Sequence, residues 1–246
     1  MQKFCALIAL FALAMPGRAS AGDTFSYDQL NLGIGIDAYT VGQGRNDKSY
    51  LGWGARLEGS REIAPHFFGF GAVQGDYYLR VHGSSNEEGF AYDSNNIVKT
   101  GSRLGLATNW PLGARLDVIA GVSVDYLYRK LDHPDYADSI QRIRGGGPGL
   151  RLGLRGLAGD LYEWHLAANR SRVKADIDMA YGDSGAAMGR RKLTLLDIGG
   201  GFRFNANDRF AVGVDLSRTH FASETEYRVQ VGLRFQWEDR DGPPSR

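Results

Sequence analysis

Where imidazoles, carboxylates and hydroxyls crowd together in this 246-residue chain, four short runs carry the types that could do chemistry. His82-Gly83-Ser84, with Glu87 and Glu88 following, holds the groups of an activated serine: a base for the hydroxyl proton and a carboxylate to orient it. Asp132-His133-Pro134-Asp135 offers two carboxylates and an imidazole, ligand types for a divalent cation. Asp176-Ile177-Asp178 begins like a calcium loop, but Met179, Ala180 and Tyr181 supply neither the next oxygen ligand nor the glycine. Gly145 to Gly149 lacks the Lys and Ser/Thr of a phosphate loop, and predicts a turn out of a long loop into a strand. All four read as polar loop chemistry, so no catalytic, cofactor-binding or metal-ligating residue is assigned and no cofactor is expected.

The start of the chain sets the compartment that these runs would face. A basic Met1-Gln2-Lys3, an apolar run from Phe4 to Met15 and a small-residue Ala19-Ser20-Ala21 predict a cleaved secretory signal over residues 1–21. The apolar run would span only ~18 Å as a helix, against a hydrocarbon core of ~30 Å, so it is not read as an anchor. The one cysteine, Cys5, leaves with the signal, and so do Lys3 and Arg18. With 29 basic and 28 acidic residues in the whole chain, the exported remainder has a net charge near −1, which argues against nucleic acid as a partner.

Gly is abundant at 34 of 246 residues, without a three-residue period, so neither a helical protein nor a collagen-like one is expected. What recurs is period-two alternation. Leu30, Leu32, Ile34 and Ile36 alternate with Asn31, Gly33, Gly35 and Asp37, and Val118, Ala120, Val122, Val124, Tyr126 and Tyr128 with the residues between them. Tyr227 to Trp237 repeats the pattern. Tight connections centred on Ala64, Pro111, Gly159 and Asn207 recur at steps of 47, 48 and 48 residues, and longer polar segments lie between them. Short turns alternating with long loops are the asymmetry of a membrane barrel. Ten strands follow, roughly 27–41, 49–62, 67–82, 96–109, 114–130, 147–158, 162–175, 192–204, 209–221 and 225–237. Were strand seven or eight misread, eight would remain. The expected fold is all-β: a transmembrane up-and-down antiparallel barrel over 22–237, with a polar tail over 238–246.

Alternation alone does not say which face meets lipid. If the apolar face is outward, Arg56, Glu58, Lys99, Arg103, Arg115, Asp117, Arg151, Arg155, Arg203 and Asp215 fill the lumen. Aromatics should then gather at the two interfaces: Trp110, Trp164 and Phe210 beside the short turns, and Tyr39, Tyr50, Tyr77, Tyr126, Tyr128 and Tyr227 toward the loops. Arg170, Arg172 and Lys174 put charge on the expected lipid face, so that part of strand seven is expected to project beyond the membrane.

Gln230-Val231-Gly232-Leu233-Arg234-Phe235-Gln236-Trp237 resembles the terminal assembly signal of bacterial outer-membrane β-barrel proteins, with Gln230, Gly232, Phe235 and Trp237 at its four marked positions. The resemblance implies outer-membrane residence, contact with outer-membrane lipid and lipopolysaccharide, and handling by periplasmic chaperones and the barrel-assembly machinery. A ten-stranded count also resembles the omptin surface proteases, but the Asp-x-His element of that family is absent: Glu163-Trp164-His165 comes nearest. His82-Gly83-Ser84 resembles the His-x-Ser element of outer-membrane lipid A deacylases, which would imply a rim enzyme. The preferred expectation is non-enzymatic: a small barrel with a plugged polar lumen that presents loops over 83–96, 130–147 and 176–192. Ten strands enclose little beyond side chains, which favours the plug, and the excess of inward arginine makes a narrow porin or transporter the alternative.

Overall fold

A computed structural model describes residues 25–41, 48–82, 91–113, 115–132, 139–159, 161–181, 186–207, 209–222 and 224–237. Ten strands form: β1 (Gln29–Val41), β2 (Lys48–Ala64), β3 (Phe67–His82), β4 (Ala91–Pro111), β5 (Leu116–Asp132), β6 (Ser139–Ala158), β7 (Tyr162–Tyr181), β8 (Ala186–Asn205), β9 (Phe210–Phe221) and β10 (Glu224–Gln236). Each pairs antiparallel with its sequence neighbours, and β1 pairs with β10 from Gln29↔Gln236 to Val41↔Glu224, closing the barrel. The expected fold class and strand count hold. The signal segment 1–21 and the tail 238–246 lie outside the described residues.

The alternation resolves into faces with opposite surroundings. Outward positions are apolar and exposed, among them Ile34 at 67%, Val124 at 67% and Phe202 at 69%. Inward positions hold the charges: Asp37, Arg129 and Arg234 are almost wholly buried. That is the arrangement of a barrel whose solvent is lipid, and it excludes the inward-apolar alternative.

Four connections at one end are tight, as the 47-to-48-residue spacing predicts. His66 (φ 62°) turns the first of them, and Gly113 (φ 82°) and Gly159 (φ 72°) the next two. At the fourth, the Asn207 carboxamide oxygen accepts from the backbone N–H groups of Arg209 and Phe210, at 2.9 and 2.8 Å. Segment 25–28 and Trp237 lie at this same end, where the Trp237 N–H reaches the Asp28 carbonyl.

The strands at the other end run longer than sequence suggests. β4 has 21 residues and β6, β7 and β8 have 20 each, about twice the ~9–11 that cross a bilayer. Of the loops expected at 83–96, 130–147 and 176–192, the described parts are strand: 91–96, 130–132, 139–147, 176–181 and 186–192. Gly145 to Gly149 lies inside β6 rather than turning the chain, and Asp176 and Asp178 pair within β7 rather than form a calcium loop. The outward face of these extensions carries charge while their inward face packs Ile143, Val173, Ala175, Ile177, Leu193 and Leu195 into an apolar cluster, so the apolar-outward pattern by which the lower strands are recognised is lost.

The stagger of the strands can be followed around the barrel. The row Val41–Glu224–Phe221–Leu195–Ser171–Gly149–Ser123–Gly105–Phe70–Ser60 returns to β1 at Gln29, twelve positions from where it began. Such a shear tilts every strand against the barrel axis and brings side chains from distant strands to one level of a narrow interior.

Candidate functional site

The lumen is filled in layers, starting from the short-turn end. Residues 25–28 enter the barrel there: Phe25 and Tyr27 are buried against Phe68, Phe70, Ala107 and Ile119. The Tyr27 ring stacks on Phe68 at 4.3 Å between centroids, and its hydroxyl donates to Asp117 at 2.7 Å. Arg155 lies 4.8 Å from the Phe25 ring centroid and donates to the Ser26 carbonyl at 2.8 Å. Beside this plug, Glu163 accepts from Arg155 Nε at 2.8 Å and Arg155 Nη2 at 3.1 Å, and from Arg234 Nη1 at 2.6 and 2.7 Å. Arg234 also donates to Asn205 at 2.7 Å.

A cavity of about 130 Å³ opens above this layer. Glu58 receives Arg56 at 3.0 Å and Arg151 at 3.2 Å, and Asp215 receives Arg203 at 3.3 Å. His165 sits between the last two, with Nδ1 2.9 Å from Arg203 Nη1 and Nε2 3.2 Å from Asp215 Oδ1. An arginine can only donate, so Nδ1 accepts.

Higher still, Arg228 binds Asp37 and Asp76, each at 2.5 Å, and Glu226 at 2.8 Å, while Lys99 closes on Glu226. Arg103 binds Asp125 at 2.9 Å and lies 3.6 Å from Asp197. Gly54 makes room for this cluster: a Cβ there would stand 2.1 Å from Asp76 Oδ1 and 3.0 Å from Asp37 Oδ2. The final layer joins Tyr39, Tyr50, Tyr78, Ile97 and Leu131 to an Arg129–Glu224 ion pair that also engages the Tyr39 hydroxyl.

Arg56, Glu58, Lys99, Arg103, Asp117, Arg151, Arg155, Arg203 and Asp215 thus meet inside the barrel. Arg115 does not: it is exposed in the turn between β4 and β5, because β5 begins only at Leu116 and the alternation stops short of it. Trp110, Phe210 and Tyr126 are exposed on the outer face, and Trp164 and Tyr128 are half-buried on it. Tyr39 and Tyr50, expected in the outer girdle, are instead buried inside, sharing parity with Asp37 and Gly52. In the terminal octapeptide, Gln230 and Gly232 face the lumen and Phe235 and Trp237 face outward, their rings 5.8 Å apart.

Of the enzyme candidates, Ser84, Glu87, Glu88, His133 and Asp135 lie outside the described residues, and His82 ends β3. Glu163 and His165 both face inward, but Glu163 is held by Arg155 and Arg234, and His165 by Arg203 and Asp215. No group of three potential metal-binding side chains occurs among the described residues. The sequence reading missed the plug, Arg129, Glu224 and Glu226. Parity was the available signal for the last three, since each lies two or four residues from an inward charge.

No protein-family model matches the chain, and no curated protein matches its sequence. Its fold is that of bacterial outer-membrane β-barrels. The outer-membrane protease OmpT from Escherichia coli is similar in structure at a TM-score of 0.55 and 11% identity, covering 87% of this chain and 98% of that one. The translocator domain of the autotransporter NalP from Neisseria meningitidis is similar at a TM-score of 0.50 and 8% identity, covering 96% and 95%.

Proposed function

We propose that this chain is a small, integral outer-membrane barrel with a closed lumen and a non-enzymatic role, carrying its extended hairpins beyond the bilayer for envelope integrity or surface contact. The observation that carries this reading is the lumen itself. Inside the apolar wall, an aromatic plug at one end, three tiers of ion pairs and a tyrosine layer at the other fill the lumen among the described residues, around cavities of about 130 and 70 Å³. Periplasmic chaperones and the assembly machinery would deliver it, with Phe235 and Trp237 offered on the outer face of the closing strand.

Planar-bilayer recording tests it. The full-length protein should give no steady conductance, and removing the rings of Phe25 and Tyr27 together should produce intermittent openings. The alternative is a narrow anion path along Arg56, Arg151 and Arg203, which line the larger cavity. A stable anion-selective conductance in the unaltered protein, lost on neutralising Arg103 and Arg155, would establish the alternative and overturn the closed reading.

A further inference from the structure

The outer face has one sector whose chemistry the fold does not explain. Toward the long-strand end, an aromatic girdle comprises Trp53 on β2, Tyr77 on β3, Tyr126 and Tyr128 on β5, and Tyr227 on β10. On β6 to β9 the corresponding positions hold cations: Arg144, Arg170, Arg172, Lys174, Lys192 and Arg218, all outward and exposed. The twelve-residue stagger sets their height, since equal levels climb roughly one residue per strand from β10 round toward β2. Read that way, Arg170, Arg172 and Arg218 lie close to the level of Tyr126 and Tyr227, and Lys174, Arg144 and Lys192 lie just above.

Carboxylates reach only the Arg144 corner of this sector among the described residues. Asp176 is taken by Arg190 at 2.9 Å, and Asp178 lies 3.7 Å from Arg144. Lys174 and Lys192 are direct cross-strand partners, a like-charge pair that disfavours the sheet. The side chains of Arg170, Arg172, Lys174 and Lys192 make no ion pair or hydrogen bond among the described residues. Immediately toward the short turns the same strands turn apolar, with Leu150, Leu166, Ile198 and Leu216 exposed.

We propose that this sector binds the phosphate groups of an outer-leaflet glycolipid of the lipid A class, with the acyl chains lying along the leucines beneath. The proposal rests on the membrane-barrel reading above. Cations two residues apart on β7 stand ~6.7 Å from one another, and a neighbouring strand adds ~4.8 Å sideways. A cationic surface of that extent suits a headgroup bearing two phosphates better than one bearing a single phosphate. Bound phosphate also relieves the Lys174–Lys192 repulsion.

The test uses the full-length barrel in detergent, with binding of lipid A, dephosphorylated lipid A and phosphatidylglycerol measured by native mass spectrometry. Lipid A should bind at least tenfold more tightly than either other lipid. The variant R170Q/R172Q/K174Q/K192Q should lose that preference, with K174Q/K192Q intermediate and R190Q unchanged. Folding of each variant is checked by its heat-modifiable migration on a denaturing gel, and K174Q/K192Q serves as the binding test should the fourfold variant fail to fold. Equal binding of the three lipids, or lipid A binding unchanged in a folded variant, overturns the proposal while leaving the barrel intact. An unaltered protein that shows no heat-modifiable band and stays in the soluble extract removes the membrane reading and this proposal with it.

Discussion

Glu163 is the point at which the closed lumen is most exposed to disproof. It is 1% accessible, and two guanidinium groups reach it through four charge-assisted hydrogen bonds of 2.6 to 3.1 Å. Glu163→Ala would leave Arg155 and Arg234 buried beside each other without their shared anion. Removing one partner of a buried ion pair costs about 3–5 kcal/mol, and two stranded cations put the expected loss at the upper part of that range. At a factor of ten per ~1.4 kcal/mol, the folding equilibrium should fall by roughly three decades. Glu163→Gln retains the volume and one accepting oxygen, so it should lose less. Urea unfolding in lipid vesicles, followed by heat-modifiable migration and tryptophan fluorescence, reads both variants. A loss below about 1 kcal/mol for Glu163→Ala would mean that water already solvates these arginines, and the claim of a closed lumen would fail.

Two further substitutions probe the wall and its inner face. Val122, in the middle of the outward stripe of β5 and 56% exposed, should cost about 2–4 kcal/mol on replacement by Arg, whereas Tyr128→Arg near the interface should cost under about 1. Equal costs in vesicle unfolding would place water rather than lipid against β5. Gly54→Ala should destabilise by about 1–3 kcal/mol, because the Asp76 carboxylate and the Gly75 carbonyl stand against the added carbon. Gly75→Ala, which meets nothing within 4 Å, should be neutral or stabilise by about 0.5–1 kcal/mol, and a reversed order in the same titration would contradict the packing described.

How far the sequence reveals this molecule depends on whether a strand has two different faces. β1, β5 and β10 alternate leucine, isoleucine or valine with glycine or charge, so both their existence and their orientation are readable. The upper halves of β6, β7 and β8 are not, since Arg142 and Arg144 opposite Asp178 and Asp176 form a ladder of charges that composition cannot tell from a loop. The lumen was legible as a list of charges but not as a set of partners. Arg228 meeting Asp37 across 191 positions depends on a closed register, which no local pattern reports. Nor does any period announce the plug, because residues 25–28 precede the first strand and are held by rings and carbonyls rather than by alternation.

The pairing of β1 with β10 means that the chain is open-ended until its last strand is made. Thirteen residues of β1 wait on thirteen of β10, and until these meet, two edges of unpaired amides and carbonyls face whatever surrounds them. In water such edges recruit other chains, and in hydrocarbon each unsatisfied group costs several kcal/mol. Insertion strand by strand is therefore closed to a free chain. The whole polypeptide has to be kept apart from its neighbours after synthesis, and its first and last strands have to be brought together at the moment it enters the bilayer.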